Sequence, residues 1–526
     1  MSEHLAATLD LSLAWERVKS DIRNGREFVR HPYEVDLVEA DLDGWLEGLR
    51  NEVQNGFNPS AAIIADIPKG RGAVRPGALL RLEDRVVYAA CVGTALPAIY
   101  SALEWSQGQI DIAYQIAKEH GRPEWIKGAF AGWTSFRHKS LVKIREGSSH
   151  VVVTDITGFY ENIDISTLVS DLRQLGIDQE VVTLLSTCLN RWSIGYGRGI
   201  PQGCSASDVL AKVYLNQADL LLKEYGFDHL RYVDDLRIFC KDELEAKFAL
   251  LRLSQILRRR SLTLQSAKTE ILPAAVAEQR FEGVIPILQE VKDDFIKMVV
   301  EHAGIAGAYI TLGEADRLAA EDPDDDEPAE VLRDAFSRYF LSGEQEFDNT
   351  LFHFLINRMK IKKDDFGHEY CLAILADHPE ETGCILKYLE AIGNLDKSLY
   401  GLAMFLESGH ALYDYQNYQI FEWLASLDEP PSERLMSIAR GIAFDNAKPS
   451  YLRAACRRLI GQCPSISDLE RIESSYATTL VPLERAQILC DLKELEAGRR
   501  NSFLARARRD HLLCDRAAQL VRSDLL

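Results

Sequence analysis

The 526-residue chain lacks a positive charge balance: 60 Lys and Arg stand against 80 Asp and Glu, a net charge of −20. It is therefore no simple polycation holding nucleic acid by bulk attraction. Cys-x-x-Cys pairs are missing too. The ten cysteines, among them Cys91, Cys188, Cys204, Cys240 and Cys371, are scattered, which fits reduced thiols in a cytoplasm better than a zinc site or a disulfide frame. No run approaches the ~18 apolar residues of a membrane span. The start, Met-Ser-Glu-His-Leu, has neither a basic n-region nor an apolar core, so neither a signal peptide nor a membrane partner is expected. What remains is ordinary for a globular protein, with 47% hydrophobic and 27% charged residues and length enough for two or three domains.

Against these absences stand two acidic strand ends, one with a pair of carboxylates and one with a single Asp. Residues 231–235 read Arg-Tyr-Val-Asp-Asp, between a mixed stretch at 225–230 and an apolar run at 236–240. Adjacent carboxylates at a hairpin tip repel, and a divalent cation is the commonest compensation. Far upstream, the β-branched run at 151–154 reads as a buried strand delivering Asp155 at its exit. Alone, an Asp-Asp pair is more often a solvated loop, and a single strand-end Asp a turn residue. Asp155, Asp234 and Asp235 together are the metal-ligand set that two-metal nucleotidyl transfer needs.

Between these strands lies Gly199-Ile200-Pro201-Gln202-Gly203-Cys204-Ser205, whose glycines allow close backbone approach, with Ser205 as the expected cap of a helix over 206–222. Asp155-(x)4-Tyr160, Gly199–Gly203, Tyr232–Asp235 and Ser266-Ala267-Lys268-Thr269 resemble reverse transcriptase motifs A to D, in that order. Ile67-Pro-Lys69-Gly-Arg-Gly-Ala-Val-Arg75-Pro and Glu83-Asp84-Arg85 resemble the fingers motifs of the bacterial group II intron and retron-like branch, and Phe281-Glu282-Gly283 its primer-grip turn. The resemblance covers about residues 60–290. It implies an α+β right-hand polymerase of fingers, palm and thumb-like region.

Triphosphate binding at an acidic site calls for cations. Lys69 and Arg75 are the candidates, although any one basic residue is more often a surface charge. Lys268, expected in a strand over 261–272, resembles the motif D lysine, which implies a cation that donates a proton to pyrophosphate or steadies it. By the same resemblance Tyr160 stands at the steric-gate position and Gln202 packs on the incoming nucleotide; a core tyrosine is the plain alternative for Tyr160. The implied cofactor is Mg2+, as two ions, with Mn2+ as substitute. The implied partners are deoxynucleoside triphosphates and RNA or DNA, with room for a non-coding RNA and a homo-oligomer.

Charge divides unevenly. Residues 1–290 hold 33 basic against 39 acidic side chains, and residues 291–526 hold 27 against 41. Basic clusters at Arg137-His138-Lys139, Lys143 and Arg145, and at 258–260, are expected to meet a nucleic-acid backbone or to be solvated helix faces. Residues 1–60 read as a helical extension of the fingers and 61–290 as fingers and palm. Residues 291–526 read as helices broken by turns, either a HEAT-like repeat or an irregular bundle. The acidic tract at 321–328 reads as a solvated linker. A reverse transcriptase core followed by helices resembles the defence-associated, abortive-infection enzymes of bacteria. Some of these are template-independent or prime on a tyrosine, for which Tyr413, Tyr415 and Tyr418 offer hydroxyls. A retron-type enzyme using a structured RNA, an RNA-making polymerase and a non-catalytic assembly protein remain as alternatives.

Overall fold

A computed structural model describes residues 3–127, 129–193, 195, 197–282, 291, 329–343, 346–428 and 431–523. Gly283, the sequence boundary at 290 and the acidic tract at 321–328 lie outside them. Two strand pairs come first, β1 (Ile63–Pro68) with β2 (Val74–Leu79) and β3 (Gln115–Ile116) with β4 (Ile126–Lys127). Four strands then form one antiparallel sheet in the order β6-β7-β5-β8: β5 (His150–Thr154), β6 (Asp228–Tyr232), β7 (Asp235–Cys240) and β8 (Glu270–Pro273). Period-two alternation turns Val151, Leu230, Phe239 and Leu272 into one core with Phe136, Ile144, Ala277 and Phe281. The helix Glu243–Arg259, capped by Asp242 accepting from the Glu245 N–H, packs on β5 and β7.

The chain separates into two units. The first comprises Met1–Asp66, Arg75–Phe281 and Ser465–Leu526; the second comprises Ile67–Val74 and Glu282–Pro464. This differs from a division at 60 and 290. Residues 465–526 complete the first unit: the helix Leu512–Ser523 packs on Glu34–Glu39, Arg516 pairs with Asp41, and Gln487 Nε2 donates to the Pro32 carbonyl at 3.2 Å.

The helix Leu82–Leu103 corrects the expectation that no segment is long and apolar enough to cross a membrane. Its faces are taken by the helices Leu11–Arg23, Gln179–Trp192 and Ser205–Glu224, so it serves as the core helix of the first unit. Three further local expectations fail. Lys268 sits in a 3-10 turn, Ser266–Lys268, ahead of the short β8. Ser205 is the first helical residue after the N-cap Cys204, and its hydroxyl bonds Asp21 at 2.5 Å. Phe281 lies within the helix Ala274–Glu282, buried in the core.

Among the described residues of Glu282–Pro464, all regular structure is helical. Asn349–Lys362 packs on Thr382–Ile392, that on Asp414–Leu424, and that on Ser450–Gln462. His368–Ala373, Leu395–Glu407 and Glu433–Ala443 make a second such succession. Tyr418 is buried there, its ring 5.6 Å from that of Tyr451.

Candidate catalytic centre

Strand register alone gathers the acidic residues. β5 pairs antiparallel with β7 and β8, placing Thr154 opposite Leu236 and Val153 opposite Glu270. Continued past the strand ends, the same pairings set Asp155 opposite both Asp235 and Lys268. Asp234 occupies the two-residue turn between the paired Tyr232 and Asp235. Side chains follow the register: Lys268 Nζ donates to Asp155 Oδ2. Burial, and then the charge of Asp155, push the Asp234 carboxyl up to about 7 and that of Asp235 up to about 6. Burial works against the Lys268 ammonium, but its bond to Asp155 and the neighbouring carboxylates carry its pKa above the ordinary lysine value. As oxygen donors the three carboxylates are of the hard kind that a divalent cation takes, with Lys268 answering part of their charge; among the described residues, three ligand atoms come within 4.8 Å of one another only at His353, Glu381 and Cys384.

The turn is fixed from behind by a residue that sequence reasoning quoted but gave no role. Val233 has φ 56°, a left-handed conformation that hairpin turns give to Gly or Asn and that strains a β-branched residue. Arg231, 2% exposed, donates Nη1 to the Val233 carbonyl at 3.0 Å. Its Nε and Nη2 bond Asp219 at 2.7–3.1 Å, and Nη2 lies 2.9 Å from Asp111. Lys212 stands 2.7 Å from Asp111, so two buried cations answer two buried carboxylates. Burial alone would raise Asp219; Arg231 and His229 hold it down at about 2.

Arg75, Tyr160 and Gln202 line one cavity of about 830 Å3 within the first unit, together with Asp21, Arg26, Tyr114 and Asp208. Arg75 Nε has no hydrogen-bond partner among the described residues. Tyr160 donates its hydroxyl to Asp208 at 2.7 Å. Asp208 and Arg26 carried no motif, and only their meeting in space reveals them. Lys69 belongs to the second unit, where its N–H closes the hairpin tip on the Ala73 carbonyl at 2.7 Å. Arg85 is no surface charge: it is buried between Glu27 and Glu34. The basic clusters are partly spent on internal pairs, Lys143 with Asp228, Arg145 with Glu278 and Arg260 with Asp171.

In the second unit His353, Glu381 and Cys384 place ligand atoms within 4.8 Å of one another. Both Glu381 oxygens are already engaged, by His353 and by Asn349 at 2.6 Å. Burial and the Glu381 charge push the Cys384 thiol up to about 11, away from the thiolate a metal needs. The group is an ion pair with a thiol beside it.

Residues 67–285 match the family described as Reverse transcriptase (RNA-dependent DNA polymerase). The curated relative Protein YkfC of Escherichia coli (strain K12) is 25% identical over 195 residues, 36% of this chain and 48% of that protein. The chain thus spans about half the length of this relative. Among solved structures, apo telomerase from Candida Tropicalis is 12% identical, with 80% of this chain and 67% of that one covered and a TM-score of 0.31. Telomerase from Candida albicans in complex with a TWJ fragment of telomeric RNA is 11% identical, with 74% and 68% covered and a TM-score of 0.30. Superpositions this slight bear on neither fold nor chemistry. Residues 67–285 of this chain are a reverse transcriptase domain, an enzyme domain of the nucleotidyltransferase class.

Proposed function

We propose that the chain is a DNA polymerase, RNA-directed or template-independent, that works by two-metal nucleotidyl transfer in bacterial antiphage defence. The observation that carries the polymerase reading is the single row of Asp155, Asp235 and Lys268, with Asp234 in the adjoining turn, in the same unit as the cavity lined by Tyr160, Gln202 and Arg75. Asp155, Asp234 and Asp235 would hold Mg2+, or Mn2+ in its place, which when bound activates a 3′-hydroxyl and stabilises leaving pyrophosphate. Lys268 supplies a proton to that leaving group. Arg75, which lines the cavity, binds triphosphate, Gln202 packs on sugar and base, and Tyr160 crowds a ribose 2′-hydroxyl. The phosphate contact expected of Lys69 rests on sequence alone.

The defence assignment is supported by the joining of a reverse transcriptase domain to the helical stretch within 329–464. There the two successions of helices are what a HEAT-like repeat would produce. Ten free cysteines suit a cytoplasmic location.

The test is to purify the full chain, sequence any DNA that accompanies it, including covalently attached 5′ ends, and compare Asp234→Asn with wild type in primer extension. We expect copurifying DNA and a loss of incorporation of at least about a thousandfold in the variant. Undiminished incorporation by the variant, or a wild-type preference for ribonucleotides, would overturn the assignment.

A further inference from the structure

The cavity that holds Tyr160 is walled in part by residues that no polymerase motif supplies, Asp21, Arg26, Tyr114 and Asp208 among them. Tyr160 is held at two ends: its carbonyl accepts from the Ile200 N–H at 3.0 Å, and its hydroxyl donates to Asp208 Oδ1 at 2.7 Å. The other oxygen of Asp208 accepts from Arg26 Nη1, also at 2.7 Å. Both oxygens of this nearly buried carboxylate are thereby committed, one to the tyrosine and one to the arginine.

Arg26 is itself pinned. Its guanidinium lies over the Tyr114 ring at 5.4 Å, with its Nε 3.7 Å from Asp21. Asp21 accepts from the Ser205 N–H at 2.9 Å and from its hydroxyl at 2.5 Å. Close by, the Phe28 ring is packed so tightly on Gly203 that a Cβ there would meet it at 3.1 Å. The segment 21–28 thus forms part of the cavity wall and is packed directly against Gly203–Ser205. Charge-assisted bonds of this length are the stronger and more directional kind. A chain of them running from one element to the next fixes the ring at its far end.

We propose that Asp208, held by Arg26, is a positioning residue that clamps the Tyr160 hydroxyl and thereby sets how strictly the site excludes the ribose 2′-hydroxyl. The proposal rests on Tyr160 acting as the sugar gate. A gate of this kind discriminates by one oxygen atom, so a ring free to swing through about an ångström relaxes the preference. The carboxylate acts through the tyrosine and touches no nucleotide.

The experiment compares full-length wild type with Tyr160→Phe, Asp208→Ala, Asp208→Asn, the double variant Tyr160→Phe with Asp208→Ala, and Tyr160→Ala. The readout is the ratio of kcat/KM for a deoxynucleotide to that for the matching ribonucleotide on an RNA-templated primer. A second readout is the shift in Tm given by dATP and by ATP. Tyr160→Phe and Asp208→Ala should each lower the ratio about tenfold, the equivalent of one charge-assisted hydrogen bond. The double variant should fall no further, because both changes break the same link. Asp208→Asn keeps an acceptor for the hydroxyl and should recover most of the preference. The Tm shifts should converge for the two nucleotides in the same order of variants.

If Tyr160→Ala erases the preference while Tyr160→Phe or Asp208→Ala leaves it intact, the gate stands and the clamp falls. Multiplication of the two single effects in the double variant also overturns the clamp. A Tyr160→Ala protein with unchanged preference removes the gate reading, and the clamp with it. Should Asp208→Ala fail to fold, Tyr160→Phe, which deletes a single oxygen, decides the matter.

Discussion

Replacing Arg231 with Met tests the view that the acidic turn is built on a buried charge cluster. The guanidinium is 2% exposed and makes contacts to Asp219, Asp111 and the Val233 carbonyl, all within 3.1 Å. Methionine fills much of the volume and supplies none of the charge. Asp111 then keeps Lys212 and Asp219 keeps only the His229 ring at 3.4 Å, and removing one partner of a buried pair costs about 3–5 kcal/mol. The left-handed Val233 loses its restraint, and holding such a residue costs about 1–3 kcal/mol. At about 2 °C per kcal/mol for a unit of this size, thermal unfolding should come about 6–10 °C earlier. Hydrogen exchange should show the loss of protection concentrated in β6, β7 and their turn. Removing Asp219 as well, with Asp219→Leu, leaves Asp111 paired with Lys212. The double variant should therefore be more stable than Arg231→Met alone by about 2 kcal/mol or more. A Tm change below about 2 °C for Arg231→Met, or a double variant worse than the sum of its parts, would show that water screens this cluster and would refute the reasoning.

Asp84 is fully buried beside Arg81 and the Ser60 N–H, and burial pushes its carboxyl up to about 7. A carboxyl raised on folding binds its proton more tightly in the native state. Stability should therefore fall as pH rises between about 4 and 7 and level off above that, and Asp84→Asn should flatten this part of a Tm-versus-pH curve. Lys268→Ala should slow single-nucleotide incorporation by about a hundredfold in a rapid-quench assay, with Lys268→Arg retaining part of the rate. Asp234→Asn relieves a carboxylate crowded by Asp155 and Asp235 and should raise the Tm of the protein in chelator by about 2 °C, a gain that millimolar Mg2+ should narrow.

The acidic row was legible because it depends on features the sequence displays directly. The β-branched run before Asp155, the apolar run after Asp235 and the two-residue turn between strands are local signals, and antiparallel pairing does the rest. Pairing β5 with β8 even rescues Lys268, whose segment is a 3-10 turn instead of the expected strand. The cavity wall was not legible in the same way. Asp208 stands in the first turn of an ordinary helix and Arg26 follows another, and neither position has a pattern that says which side chain it will meet 182 residues away. The same limit explains the placing of residues 465–526. Their helices carry amphipathic stripes like those of 329–464, and a stripe states that a face will be buried without stating against what. What decides the matter is complementarity visible only in space: Arg516 finds Asp41, and Gln487 finds the free carbonyl of Pro32. Periodicity thus reports that an element exists, whereas its address is written in single polar contacts, and a domain boundary drawn from periodicity alone will run through a unit whenever the chain returns to it.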